Sequence, residues 1–597
     1  MSEEYVRPRR SVPPEQARRK RKKKKRVNYP KLIMMIVAAV LILTVFVVGM
    51  VIAVKKIIPT AETMELTEYF ELVDENQCAV IINGEYKNVP SKSDGILAIY
   101  DGSEVYLELG FIKEYIDDGY VYDSTEGVLR YATESQIYTA NLGSSDYMID
   151  KSVNSFGRDI IKIQDERCFL SIQFIQMLSD VNYTYHGGPS RVVLETPGYT
   201  KQVAALRRKV ALRRFGGNKS KILEKGVKGE GVVVLEDYGK WMLVLSDEGV
   251  LGCVRGNCLT DAQEEVVSAN HPPRNFNHIL LDKTISLAWH QTMNSTANAE
   301  IGNVLSEIGN VNVMCPTWYY ISDNNGNIHS VSSTSYVNEC HSRGIQVWGL
   351  VSNLEEATID TTAVLNTTSS RDNLVNNLIA EAITTGLDGI NVDFESLSAS
   401  AGDGFIQFIK ELSIKCEKND IILSVDNYVP SGYTQFYKRN VQADYADYIC
   451  IMAYDEHTRN SEEAGSVASL PWVKEGVANS LLEVPANQLI LGIPFYCRVW
   501  SHNGSGELID SDTYGVRSVL NYIADNGAAT AWDDATGQNY CEFTKGDNIY
   551  KIWVEDADSI DAKMAVMKNN NLAGAGYWKL GFENDAVWNT IAKYIPN

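Results

Sequence analysis

The eight histidines of this 597-residue chain are scattered, with no HxH or HExxH grouping, so the sequence indicates no metal site. Tight cysteine spacing is also missing. None of the ten cysteines forms a CxxC pair, and Cys315, Cys450 and Cys497 lie in apolar strand-like runs, where cysteine behaves as a small buried hydrophobe. Disulfide pairing is left open by this pattern. Basic charge is scarce beyond the N-terminus: residues 1–31 carry a net +10, and residues 57–597 carry −33. A body so acidic repels polyanions, which argues against a nucleic-acid partner.

Charge is wholly absent from Leu32 to Val54, an apolar run of 23 residues. As a helix at about 1.5 Å per residue it spans a hydrocarbon core of about 30 Å. It exceeds a typical signal-peptide core, follows a basic segment of some thirty residues, and shows no small-residue cleavage site before Lys55. The expectation is an uncleaved anchor over 32–54 in a lipid bilayer. The cluster RRKRKKKKR, Arg18–Arg26, then keeps the tail (1–31) cytoplasmic and puts the remainder outside a bacterial cell.

Between 60 and 195 the chain repeats itself. A shift of 63 residues lays VYLELGFIKEYIDDGYVY (Val105–Tyr122) on CFLSIQFIQMLSDVNYTY (Cys168–Tyr185), each reading as strand, helix and Tyr-rich strand. This resembles the copper-amine-oxidase N-terminal-like repeats of bacterial envelope proteins; the name implies no copper, and no ligand cluster is present. An α+β stalk is expected. From 200 to 262, short β runs are punctuated by Asp237–Gly239 and Asp247–Gly249, which suggests a small β-barrel. The pattern resembles a bacterial SH3 domain, with Trp241 in place and Cys253 where the family's second Trp usually sits. That resemblance implies possible contact with wall peptides; a passive linker reading stands beside it.

From Ile279 onward, apolar runs alternate with helical patterns. The strand candidates are 285–290, 311–318, 345–351, 388–395, 421–428, 448–455, 489–496 and 574–581, and eight of them argue for a closed (β/α)8 barrel over 275–597. A segment at about 501–570 interrupts it and reads as an α+β insertion, with NYCEF and YKIWVED flanking the turn TKGDN and with Trp532 and Trp553 as expected core residues. The fold class is therefore multidomain: one transmembrane helix, an α+β repeat, a small β-barrel and a C-terminal TIM barrel. Polar residues cluster at the C-terminal ends of the strand candidates: Asp393 and Glu395, Asp426 and Asn427, Tyr454 and Asp455, Arg498, and Trp578, with Trp289 near the end of the first.

GLDGINVDFES, Gly386–Ser396, is the most informative stretch. Period-2 alternation sends Ile390, Val392 and Phe394 to one face and Asn391, Asp393 and Glu395 to the other. Neighbouring carboxyls in a barrel mouth raise one another's pKa, which lets one stay protonated and serve as an acid.

At these residues the chain resembles the family 18 glycoside hydrolases. DGINVDFE looks like their DxxDxDxE signature, placing Asp388, Asn391, Asp393 and Glu395 on its four positions. MAYD (Met452–Asp455) looks like the sixth-strand motif, and Trp578 lies where the family has a Trp under the sugar. The branch it most resembles includes spore-cortex-lytic and other peptidoglycan N-acetylglucosaminidases. The resemblance implies that the substrate's 2-acetamido oxygen acts as nucleophile, with no metal and no cofactor. Glu395 would be acid then base, Asp393 would orient the acetamido group, and Tyr454 would bond its carbonyl. Asp388, Asn391, Met452, Asp455, Trp578, Asp426, Arg498 and Trp289 are the expected substrate-binding residues. Asn391 departs from the family's Asp. A glycan containing N-acetylglucosamine, above all peptidoglycan, is the expected partner. A chitinase, an endo-N-acetylglucosaminidase and a catalytically silent binding barrel are the alternatives.

Overall fold

The computed structural model describes residues 28–72, 74–87 and 95–595, so the basic cluster Arg18–Arg26 lies outside the described residues. The chain divides into two units, residues 1–71 with 200–266 and residues 72–199 with 267–597.

In the first unit, Tyr29–Ile57 is one α-helix with mean hydropathy 3.1 over its most apolar stretch and no buried residue. It is long and apolar enough to cross a membrane. Residues 200–266 form a seven-stranded antiparallel sheet whose core includes Leu206, Leu212, Val232, Val244 and Val254. Gly239 and Gly249 hold positive φ (82° and 70°) at two of its turns, where a side chain would be strained. Cys253 is buried in this sheet, and the Arg255 guanidinium lies 5.2 Å from the Trp241 ring centre.

In the second unit, the repeat has a clear structural form. Val105–Glu108 leads into helix Leu109–Tyr115, and Arg167–Ser171 leads into helix Ile172–Leu178. The Glu108 and Ser171 side chains cap their helices by accepting from Phe111 N–H and Phe174 N–H. The two strands pair antiparallel with Leu107 opposite Leu170, residues that the 63-residue shift equates, so a local two-fold relates the copies. A five-stranded meander, residues 121–155, docks on the barrel's outer helices. Arg130 reaches both Asp372 (2.7 Å) and the buried Glu411 (3.2 Å), which also meets Arg371. Losing one partner from such a buried charge cluster costs about 3–5 kcal/mol, so this contact holds the meander firmly to the barrel.

The barrel strands are β1 Ile285–His290, β2 Val313–Ile321, β3 Gln346–Ser352, β4 Gly389–Asp393, β5 Ile422–Tyr428, β6 Tyr448–Met452, β7 Leu489–Pro494 and β8 Gly574–Trp578. All pair in parallel, and β8 pairs with β1, closing an eight-stranded TIM-like barrel. Inward residues Leu287, Trp289, Cys315, Trp348, Leu350, Ile422, Cys450 and Ile490 fill its interior. Gly576 is needed there, since a Cβ at that position would come within 2.8 Å of the Trp289 ring. Outward residues such as Ile390, Val392, Val425 and Ile451 pack under the helices.

Between β7 and β8 lies a second five-stranded antiparallel sheet; its strands Gln538–Lys545 and Asn548–Val554 make the expected hairpin. Trp532 corrects the expectation of a core residue: it is 46 % exposed and donates from Nε1 to Asp534. It lies on the short edge strand Ala531–Asp533. Trp553 is partly buried beside Tyr540, with ring centres 5.1 Å apart. All ten cysteines are buried free thiols.

Candidate active site

Helix Thr368–Thr385 ends at Gly386, whose left-handed φ of 77° lets its N–H bond Ala382 and turns the chain into β4. β4 stops at Asp393, two residues short of the sequence expectation, because the chain bends out of the sheet there. Asn353, just past β3, clamps the next turn: its Oδ1 accepts from Glu395 N–H (2.9 Å) and its Nδ2 donates to Glu395 C=O (3.0 Å). Tyr437 OH donates to the Phe394 carbonyl, and Ser396 takes φ 56°. These contacts fix the backbone that carries Glu395.

The side chains converge on a cleft of about 620 Å³ at the C-terminal ends of the strands, a size suited to a sugar unit or two. Asp393, Glu395, Asp426 and Asp455 line it, and no described Lys, Arg or His does. Trp289, Met452 and Trp578 form its apolar floor, with the two indoles edge-to-face at 6.2 Å. Tyr454 also lines it, and its ring meets that of Tyr496 at 6.2 Å. Asp455, at φ 62°, accepts from Tyr496 OH at 2.6 Å.

Burial without counter-charge sets the acidities. Asp393 is held well above the ordinary carboxylate range, by burial first and then by Asp426, Glu395 and Glu355; its Oδ1 is buried without a donor. Burial pushes Asp426 up to about 7. Glu395 is raised by burial, opposed by the hydrogen bond that Tyr428 OH gives its Oε2 (2.9 Å), and raised further by Asp455 and Glu355. The Tyr454 phenol is pushed far up, so it is a hydrogen-bond donor throughout the physiological range. A group that holds a proton, an acceptor beside it and a phenolic donor thus face one cavity.

The Tyr428 contact has a measurable consequence. It favours ionised Glu395, so Tyr428→Phe should raise that group's pKa. If Glu395 is the proton donor, the alkaline limb of the pH–kcat/KM profile is expected to move to higher pH. An unmoved limb, or one shifted down, would contradict the assignment.

Three expected contacts are corrected. Asp388 precedes β4 at the opposite end of the barrel, where its Oδ2 accepts from Val347 N–H and lies 2.8 Å from His341 Nε2. It ties β3 to β4 and is far from the cleft, because the five residues from Asp388 to Asp393 run the length of the strand. Asp388→Ala is expected to lower the melting temperature, through a loss of about 1–3 kcal/mol, and to leave KM within about twofold. Asn391 is fully buried beneath the cleft floor and does not line the cleft. Arg498 stands on strand Tyr496–His502 of the inserted sheet, on the face of Tyr496, and is not among the residues that line the cleft. Asn427 points outward to Gln442.

Sequence reasoning missed Tyr428, Tyr496, Trp472 and Thr458 among the lining residues, and Asn353 behind them. Tyr428 was within reach: it lies two positions beyond Asp426 on β5 and shares its inward face.

Comparison with known proteins bears on this geometry. Residues 320–583 match the family model for glycosyl hydrolases family 18. A protein of Bacillus subtilis called uncharacterized glycosylase YvbX is 26 % identical over 286 residues, 45 % of this chain and 81 % of that one. The cortical fragment-lytic enzyme of the same organism is 24 % identical over 232 residues, 38 % and 54 % of the two chains. Chitinase A1 of Niallia circulans is 28 % identical over 284 residues, 39 % and 40 %. The chain thus spans most of the first relative but only about half or less of the other two.

Proposed function

We propose that this chain, whose residues 320–583 match the model for glycosyl hydrolases family 18, is a membrane-anchored enzyme of that family. It hydrolyses β-1,4 bonds of glycans containing N-acetylglucosamine outside the cell, peptidoglycan first among them. The substrate's own acetamido group supplies the nucleophile. The observation that carries this reading is the convergence of Glu395, Asp393 and Tyr454 on one cleft with an indole floor.

With an N-acetylglucosamine ring over Trp578, Glu395 gives its proton to the glycosidic oxygen as the C1–O bond breaks. The acetamido carbonyl oxygen bonds to C1 and forms a cationic oxazolinium ring. Asp393 accepts the acetamido N–H and balances that charge, while Tyr454 donates to the acetamido oxygen. Glu395, now a carboxylate, takes a proton from water as the water oxygen attacks C1 and opens the ring. The sugar keeps its β configuration. An acidic cleft with no cationic lining suits a transition state that carries positive charge.

The name of the cortical fragment-lytic relative supports a wall substrate, as does the SH3-like sheet, to which we assign wall-peptide contact. Helix Tyr29–Ile57 supports anchoring, and the basic residues before it support a cytoplasmic N-terminus. The chitinase relative favours chitin as the second reading. Incubating the full chain with wall sacculi and, separately, with chitin oligomers separates the two. New reducing ends on N-acetylglucosamine from sacculi support the first, and cleavage of chitin alone supports the second. No release from either, with Glu395→Gln as the control, would overturn both.

A further inference from the structure

Position 391 carries an amide directly below Asp393 on the same face of β4, and its hydrogen-bonding capacity is used up elsewhere. Asn391 Oδ1 accepts from Trp289 Nε1 (3.2 Å) and Cys315 Sγ (3.4 Å), while Nδ2 donates to Ser424 Oγ (2.9 Å) and Asp426 Oδ1 (2.8 Å). Nothing is left for Asp393. The parallel register of β4 and β5 pairs Asn391 with Ser424 and Val392 with Val425. One step further along both strands, Asp393 and Asp426 stand side by side on the inner face, on backbones about 4.8 Å apart. Both line the cleft.

We propose that Asp393 and Asp426 share one proton, which rests on Asp393 in the free protein and is taken up by Asp426 when the acetamido group binds, leaving Asp393 as the anion facing the substrate. The inference rests on the hydrolase reading above for its catalytic meaning and on the strand register for its geometry. Asn391 is then a positioning residue: its amide holds Asp426 through Oδ1, beside Asp393. The titratable groups around the pair are Glu395 beyond β4, Glu355 beyond β3, Cys315 on β2, Cys450 on β6 and Tyr454 beyond β6. None brings positive charge, so two adjacent carboxylates here cannot both be ionised at neutral pH. The step moves one proton and no electrons. When the acetamido N–H arrives, the proton passes from the Asp393 carboxyl to the Asp426 carboxylate, and it returns when product leaves.

The test uses the full chain and an aryl β-glycoside of di-N-acetylchitobiose. Asp426→Asn is expected to lower kcat about 10²-fold with KM within about threefold, and to remove from the pH–kcat profile the ionisation that the pair contributes. The double variant Asn391→Asp/Asp426→Asn moves the carboxyl to the other side of the same hydrogen bond and should recover about tenfold over the single. A merely structural role for Asp426 would give no such rescue. The proposal is overturned if the single variant keeps the wild-type pH profile, or if the double is no better than the single. Should the wild type release no aryl group, the hydrolase reading is what fails. The pair is then judged by difference infrared spectroscopy of the wild type at neutral pH: a carboxylic-acid C=O band that Asp426→Asn abolishes supports it, and absence of the band overturns it.

Discussion

Glu395→Gln is expected to lower kcat on chitin oligomers or sacculi by about 10²–10⁴-fold, the range spanned by a positioned general acid, with KM within about threefold. The substitution leaves the packing and hydrogen bonds of the site unchanged. Glutamine has the same shape, its amide oxygen can still accept from Tyr428 OH, and the Asn353 clamp acts on backbone atoms. The folded site should therefore persist, and the melting temperature should hold. What disappears is the proton that the leaving oxygen needs and the base that later activates water. Both losses fall on the transition state, so kcat bears them. Activity above a tenth of wild type would mean that another group handles the proton.

Tyr454→Phe should be the next most damaging change, lowering kcat about 10²–10³-fold, the typical cost of deleting one donor aimed at developing charge. Burial, Tyr496 and the nearby carboxyls keep this phenol protonated at any working pH. It can thus present a hydrogen to the acetamido oxygen, fixing that oxygen for attack. The ring itself packs against Tyr496 and lies near Gly492, where an added Cβ would come within 3.2 Å of it, so phenylalanine should retain the packing. A variant with unchanged kcat and a raised KM would instead make Tyr454 a simple ground-state binder.

Much of this site was legible because strand periodicity is local. The eight barrel strands follow from apolar runs, and alternation along Ile390–Glu395 separates core from cleft without any tertiary information. The same rule explains the errors. Asp388 and Asn391 share a motif with Glu395, but a strand rises about 3.3 Å per residue, so residues seven and four positions before Glu395 sit at different depths of the barrel. Arg498 follows an apolar run that reads as a barrel strand, yet it pairs with Thr513, and its neighbour Val499 with Ile552, in a separate sheet, a long-range choice that no local pattern encodes. The Asp455–Tyr496 and Asn353–Glu395 contacts span 41 and 42 residues and depend on closure of the barrel. Trp472 enters the cleft from helix Leu470–Ser480, where its spacing looks like ordinary helix packing.

The substrate's acetamido group is the proposed nucleophile, and one pair of substrates tests that role directly. The full chain is given two aryl β-glycosides matched in all but the sugar at the cleavage site: one carries a 2-acetamido group, the other a 2-hydroxyl. Release of the aryl group from the first and none above background from the second is the expected result, since the hydroxyl sugar has no internal nucleophile to offer. Comparable kcat on both would contradict the account and move the nucleophile onto the protein or onto water.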